Sequence, residues 1–244
     1  MQQDTFKYGI VVGRFQHIHI GHEKLIDIGL NICNKLLVFI TVSDKGENEK
    51  NPYTYEYRKS LLEIIYNDEI KNGKMIIAPM NDVTILDTSW GKEVLDEAKN
   101  ILGEYPGCII YGKDKNILKC FPKEMVDNLT EVVVDRNSLK ISATEMRKLL
   151  LENNEKEWQK YANPKIYNKY NELKNKLEKF YCKKFWLVIL WAYEVIYELG
   201  GRYNASSFFR RWWCKTIYKW RWVCKNVQKN RKSTWHVRKE KWKR

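Results

Sequence analysis

The sequence predicts a doubly wound α/β fold around a parallel sheet, on three observations. Short apolar runs alternate with segments of helical spacing along residues 6–151. The runs are nearly continuous rather than alternating, as expected of strands buried on both faces. Right-handed crossovers then place helices on each side of the sheet. Phe6 to Gly13 (FKYGIVVG) is a β-rich run closed by Gly. Ile20 to Cys33 carries Leu25, Ile28, Gly29 and Ile32 at helical spacing. Lys35 to Val42 (KLLVFITV) is a continuous apolar strand. Tyr55 to Ile70 reads as one helix with Leu61, Leu62, Ile64 and Ile65 on a broad face. Lys74 to Pro79 is a short strand, and Ser89 to Leu102 a helix. Cys108 to Gly112 (CIIYG) and Thr130 to Asp135 (TEVVVD) are strands, and Ser142 to Leu151 is a helix. In such sheets ligands bind beyond the carboxyl ends of the strands. The expected site therefore includes the loop after Gly13, the helix start at Gly21, and residues following the later strands.

Composition divides the chain in two. The net charge of the 244 residues is +14. Residues 1–180 hold 27 basic and 27 acidic residues, whereas 181–244 hold 17 basic and 3 acidic. Eight of the ten Trp fall in that basic tail, so nucleic-acid binding inferred from charge is an inference about the tail alone. Gly (12) and Pro (5) are too few for collagen-like or low-complexity classes. No apolar stretch approaches the roughly 18 to 20 residues that span a bilayer, and MQQDTFKYG lacks the pattern of a secretory signal. The six Cys show neither C-x-x-C nor zinc spacing, which fits idle thiols in a reducing compartment, and a cytoplasmic protein without a membrane partner is expected.

The loop after the first strand reads Gly13-Arg14-Phe15-Gln16-His17-Ile18-His19-Ile20-Gly21-His22. Gly13 ends a strand where backbone must turn or approach a ligand. Arg14 offers a planar fork to phosphate oxygens. His19 and His22 lie one turn apart at a helix start, where free N–H groups and the positive dipole end also point. These features compose a polyphosphate site. A metal pair and two structural histidines are the competing readings of the same spacing.

GRFQHIHIGH resembles the G-R-F-Q-P-x-H-x-G-H signature of the nucleotidyltransferase superfamily. Within it the sequence is most similar to nicotinamide-mononucleotide adenylyltransferases of the archaeal and bacterial type, some of which carry a C-terminal Nudix domain. His17 stands at the family's Pro, which predicts a less rigid loop and an added phosphate contact from the imidazole. Ile141-Ser142-Ala143-Thr144-Glu145-Met146-Arg147 resembles the family's I-S-x-T-x-x-R; Ser142 can cap a helix with Thr144 in its first turn and Arg147 one turn on. Asn51 to Arg58 resembles N-P-F-T-x-x-E-R, with Tyr53 for Phe and the Glu one place early. Asp82 and Trp90 resemble the acidic residue and Trp that hold the nicotinamide nucleotide, and Gly112-Lys113-Asp114 falls where the family places a base- or ribose-contacting loop. The resemblance covers residues 5–152 and implies a Rossmann-like domain over 1–152.

That resemblance implies transfer of AMP from ATP to NMN, giving NAD and pyrophosphate by direct in-line attack. His19, His22 and Arg147 would be catalytic. Gly13, Arg14, Phe15, Gln16, Gly21, Arg58, Ser142 and Thr144 would bind ATP, and Asp82 and Trp90 the acceptor. Mg²⁺ would accompany ATP, with no carboxylate cage on the protein. Two other readings stand beside it. One is another adenylyl- or cytidylyltransferase of the superfamily, whose members usually show G-x-F-D or G-x-F-N before H-x-G-H. The other is a nucleotide-binding protein whose basic tail binds nucleic acid. Assembly into a homo-oligomer is left open.

Residues 153–180 are polar, with Asn163-Pro164 as a helix start and Leu173, Leu177 and Phe180 as a seam; one or two helices packing on the front domain are expected. Residues 181–244 interleave cations with aromatics, as in RRWWCKTIYKWRW. They read as a basic interaction segment, as a helical extension, or as an out-of-frame remnant of a Nudix domain, since glycine codons read one nucleotide early give Trp and Arg. No Nudix box is present in frame, so no Nudix activity is expected.

Overall fold

Five parallel strands form one sheet in the order β3-β2-β1-β4-β5 in this computed structural model. The structure describes residues 6–43, 47–82, 87–112, 118–135 and 141–180; the tail 181–244 and Lys113-Asp114 lie outside the described residues. The strands are β1 (Phe6–Gly13), β2 (Cys33–Val42), β3 (Met75–Asn81), β4 (Cys108–Gly112) and β5 (Thr130–Val134). The helices are α1 (Ile20–Ile32), α2 (Tyr55–Ile65), α3 (Asn67–Lys71), α4 (Thr88–Leu102), α5 (Lys123–Val126), α6 (Ala143–Leu151), α7 (Glu155–Gln159) and α8, over 170–180. The order reverses on either side of β1, so the switch point lies between β1 and β4, at whose carboxyl ends ligands are expected. None of the described helices is long and apolar enough to cross a membrane.

The near-continuous apolar character of β2 has its counterpart in the packing. Leu36 to Ile40 are all 0% exposed, so both faces of the strand are covered. Val38 and Ile40 join the core under α1, α2 and α6, and Leu37 and Phe39 the core under α4. Two expected boundaries move. β2 begins at Cys33 directly where α1 ends, because the fully buried Cys33 is already paired with Phe6 of β1. The helix expected over Tyr55–Ile70 breaks at Tyr66, whose ring is buried and whose hydroxyl donates to Asp27 Oδ1 of α1 at 2.9 Å. Side chains such as Asn67 and Asp68, which favour helix starts, then open α3.

The segment after residue 152 is part of the main core. Trp158, Ile166, Leu173 and Leu177 are each 0% exposed and join the core that holds Val11, Phe15 and Ile18, while Phe180 of the expected seam is half-buried. In the other core, α4 presses on the turn at Leu118–Cys120. A Cβ on Gly91 would stand 1.8 Å from the carbonyl oxygen of Cys120, which is backbone and cannot rotate away. Gly91→Ala is therefore expected to cost about 3 kcal/mol or more, read as a lowered urea midpoint at unchanged m-value.

Candidate functional site

The carboxyl ends of β1, β2 and β3 converge with the starts of α1 and α6. Gly13 ends β1, and the Phe15 ring lies over it, 3.1 Å from where a Cβ would be. Phe15 itself takes φ 48°, a left-handed conformation that costs about 1 to 3 kcal/mol in a non-glycine residue. That turn sends the chain into α1. His19 is the N-cap: its Nδ1 accepts from the Gly21 N–H at 3.1 Å. A nitrogen that accepts carries no proton, so in the neutral ring the Nε2 of His19 is the donor. The His19 and His22 rings face each other with centroids 4.0 Å apart. His22 also packs on Phe15, at 5.0 Å, and is the more open of the pair, half-buried against 3% exposure for His19.

Three arginines are held near the loop after β1 in different states. Arg14 is exposed and pairs with Asp82 through Nε at 3.0 Å and Nη2 at 3.3 Å. Arg147 of α6 is half-buried; it donates through Nη1 to the Gln16 carbonyl and through Nη2 to Thr144 Oγ1 at 3.2 Å. Ser142 caps α6 by accepting from the Glu145 N–H at 3.1 Å. Arg58 is 4% exposed and donates to three carbonyls: Arg14 (2.5 Å), Thr41 (2.8 Å) and Thr54 (3.1 Å). Burial above all lowers its pKa from 12.5 to about 10, against the attraction of Asp82. Its Nε and Nη1 therefore tie the ends of β1 and β2 to the start of α2.

Gln16 is similarly engaged. Its amide donates to the Tyr53 carbonyl at 2.9 Å and accepts from the Tyr53 N–H at 3.1 Å, joining the loop after β1 to the segment before α2. Trp90 is 4% exposed in the core against Phe121, with its indole N–H donating to the Asn81 carbonyl at 3.3 Å. The sequence brings Gly13, Arg14, Phe15, Gln16, His19, Gly21, His22, Arg58, Asp82, Ser142, Thr144 and Arg147 to one end of the sheet, and places Trp90 beneath it as packing. A cleft of about 210 Å³ opens beside them, lined among others by Gln16, Ser43, Asn51, Tyr55, Arg58 and Asp82. The two imidazoles do not line it.

His17 corrects the expectation of a looser loop with an extra phosphate contact. It is fully buried, its Nδ1 bonds the Ile18 carbonyl at 2.5 Å, and its Nε2 accepts from Trp158 Nε1 at 2.9 Å. Trp158 carried no sequence signal beyond being a lone Trp in a polar segment. Burial lowers the His17 pKa to about 4. Between about 6.5 and about 4 the unfolded chain then holds one more proton than the folded chain at this site. Stability should fall as pH falls through that window, by on the order of 3 kcal/mol, and level off below it. Glu23 and Asp27, raised mainly by burial, act in the opposite sense. Urea unfolding across pH 4 to 7 in wild type and His17→Gln isolates the histidine as the difference between the two slopes.

The described cysteines offer no alternative chemistry at this end. Cys33 and Cys108 sit at the first residues of β2 and β4, with Sγ atoms 3.5 Å apart. The Cys33 hydrogen bond and then burial push the Cys108 thiol well above its usual range. Among the described residues no group of three His, Cys, Asp or Glu could hold a metal ion.

The cytidylyltransferase-like family profile matches residues 10–149. The chain is 26% identical over 157 residues to a nicotinamide/nicotinic acid mononucleotide adenylyltransferase of Acinetobacter baylyi, covering 60% of this chain and 77% of that one. It is 24% identical over 156 residues to a nicotinamide-nucleotide adenylyltransferase of Archaeoglobus fulgidus, covering 62% and 83%. Among solved structures it is similar to a bifunctional NMN adenylyltransferase/ADP ribose pyrophosphatase of Francisella tularensis, complexed with AMP and a manganese ion. There the TM-score is 0.59 at 20% identity, over 77% of this chain and 56% of that one. The chain thus spans little more than half of that bifunctional protein, and the likeness bears on the fold.

Proposed function

The chain belongs to the cytidylyltransferase-like family of nucleotidyltransferases, and on that premise we propose that it transfers AMP from ATP to nicotinamide mononucleotide, forming NAD and pyrophosphate. The observation that carries the reading is the pair of imidazoles at the start of α1, with centroids 4.0 Å apart, following a loop whose Arg14 pairs with Asp82 and whose Gln16 carbonyl accepts from Arg147. The named relatives support the choice of acceptor.

A phosphate oxygen of the acceptor is ionised at neutral pH, so the attacking group needs no base. That oxygen forms a bond to the α-phosphorus of ATP while the bond to the bridging oxygen breaks, and the electron pair leaves with pyrophosphate. The work of the protein is then placement and stabilisation of charge on the transferring and leaving phosphates. His19 Nε2–H and His22 supply hydrogen bonds to phosphate oxygens. Arg14 and Arg147 draw the triphosphate against the α1 and α6 starts, where the positive end of each helix dipole favours anions. Arg58 and Gln16 keep the loop after β1 in register with α2. Mg²⁺ would arrive on the phosphates of ATP and neutralise part of their charge.

The cleft beside Asp82 is the proposed seat of the acceptor. At about 210 Å³ it is smaller than the usual 300 to 1,000 Å³ of a ligand pocket, so it suits one end of a nucleotide rather than a whole dinucleotide. The test is pyrophosphate release with a panel of phosphorylated acceptors, each offered with ATP and with CTP. Fastest turnover is expected with ATP and NMN. Turnover with a different acceptor, or with CTP alone, would replace this substrate assignment within the family.

A further inference from the structure

The loop that carries the two imidazoles is braced from a distant stretch of sequence. Trp158 of α7 donates its indole N–H to His17 Nε2 at 2.9 Å, across 141 residues. Three residues further along each segment, the N–H of Ile20, first of α1, donates to the Tyr161 carbonyl at 3.0 Å. Asn163 Nδ2 then donates to Glu23 Oε2 at 2.6 Å. Residues 17, 20 and 23 are thus met in order by 158, 161 and 163, and His19 lies between the first two braces. Both rings of the first brace are fully buried and cross at 77°, and the indole also packs against Tyr167 and Tyr170.

We propose that the Trp158–His17 hydrogen bond, with the Tyr161–Ile20 bond beside it, sets the placement of His19 and His22 and makes Trp158 and His17 positioning residues of this site. An indole N–H only donates, so the His17 Nε2 that meets it is bare and the ring proton sits on Nδ1. Nδ1–H therefore donates to the Ile18 carbonyl at 2.5 Å. That carbonyl belongs to the peptide entering His19. Holding its plane holds the extended backbone of His19 (φ −153°, ψ 168°), from which the ring reaches the Gly21 N–H. The indole thus selects a tautomer, the tautomer fixes a peptide, and the peptide aims an imidazole. The placement stands on hydrogen bonds alone; only its consequence for turnover rests on the function proposed above.

The chain has four His, at 17, 19, 22 and 236, so ¹⁵N-histidine labelling of the full chain gives a readable long-range spectrum. His17 is expected as the Nδ1–H tautomer. In Trp158→Phe the ring signals of His19 and His22 should move together with those of His17. With ATP and NMN, kcat should fall about ten- to a hundred-fold, the range of a misplaced reacting group, while KM for the acceptor, seated in a cleft that none of these residues lines, stays unchanged. His17→Gln should keep turnover close to wild type, since its amide can accept from the indole and donate to Ile18, whereas His17→Leu should behave like Trp158→Phe. If Trp158→Phe gives no cooperative melt, His17→Leu carries the same comparison. Unmoved His19 and His22 signals in a folded variant overturn the proposal, and so does wild-type kcat in a variant whose signals have moved. Absence of pyrophosphate from the wild-type chain would sink the functional reading instead, and the spectra would still decide the brace.

Discussion

His22→Ala should lower kcat for adenylyl transfer by about a hundred-fold or more while leaving the fold intact. The size follows from the usual loss on removing one preorganised donor from a site where charge develops. His22 is half-buried in the first turn of α1, with its ring 4.0 Å from that of His19 and 5.0 Å from Phe15. Alanine suits a helix, so the backbone has no reason to move. Single-turnover measurement separates the effect from product release: the chemical step should slow by the full factor, with the ATP dissociation constant changing far less. A chemical step within a few-fold of wild type would remove the imidazole pair from the mechanism.

Arg58→Ala should be the most destabilising substitution at this end of the sheet, at about 3 kcal/mol or more. One side chain serves the carbonyls of Arg14, Thr41 and Thr54, the first two after β1 and in β2. Its removal takes this donor from the Arg14 and Thr41 carbonyls, while the Thr54 carbonyl keeps the Arg58 N–H, and it opens a void among them. Arg58→Lys should recover little, because an ammonium on a flexible stem cannot reproduce a planar fork that meets three oxygens. Urea unfolding of the two variants checks both statements. If alanine cost less than about 1 kcal/mol, the guanidinium would instead be held chiefly for a bound anion, as the resemblance in Asn51 to Arg58 implies.

Much of this architecture is legible in the residues. β2 announces itself because a strand buried on both faces has to be apolar throughout, and Leu36 to Ile40 are. The candidate site is legible because Gly13, His19, Ser142 and Arg147 occupy positions that local geometry dictates: a strand end, two caps, and one turn beyond a cap. What the sequence leaves hidden is the partner of a side chain that can serve either a ligand or the protein. Arg58 and Gln16 have the chemistry to grip phosphate, yet both hold backbone. Trp90 has the face to stack on a nicotinamide ring, yet it packs on Phe121. Spacing cannot distinguish these cases, since it records what one segment offers and not what a remote segment brings. His17 is the clearest instance, because its partner arrives 141 residues later.

That separation constrains the order in which the protein can mature. The loop from Gly13 to His22 leaves the ribosome well ahead of the groups that close it, since Trp158 and the Tyr161 carbonyl follow some 140 residues behind. At about 5 to 20 residues per second of translation, the nascent chain carries an unfinished loop for on the order of ten seconds. A prematurely terminated product ending before residue 158 would hold every signature motif and still lack the splint that seats them.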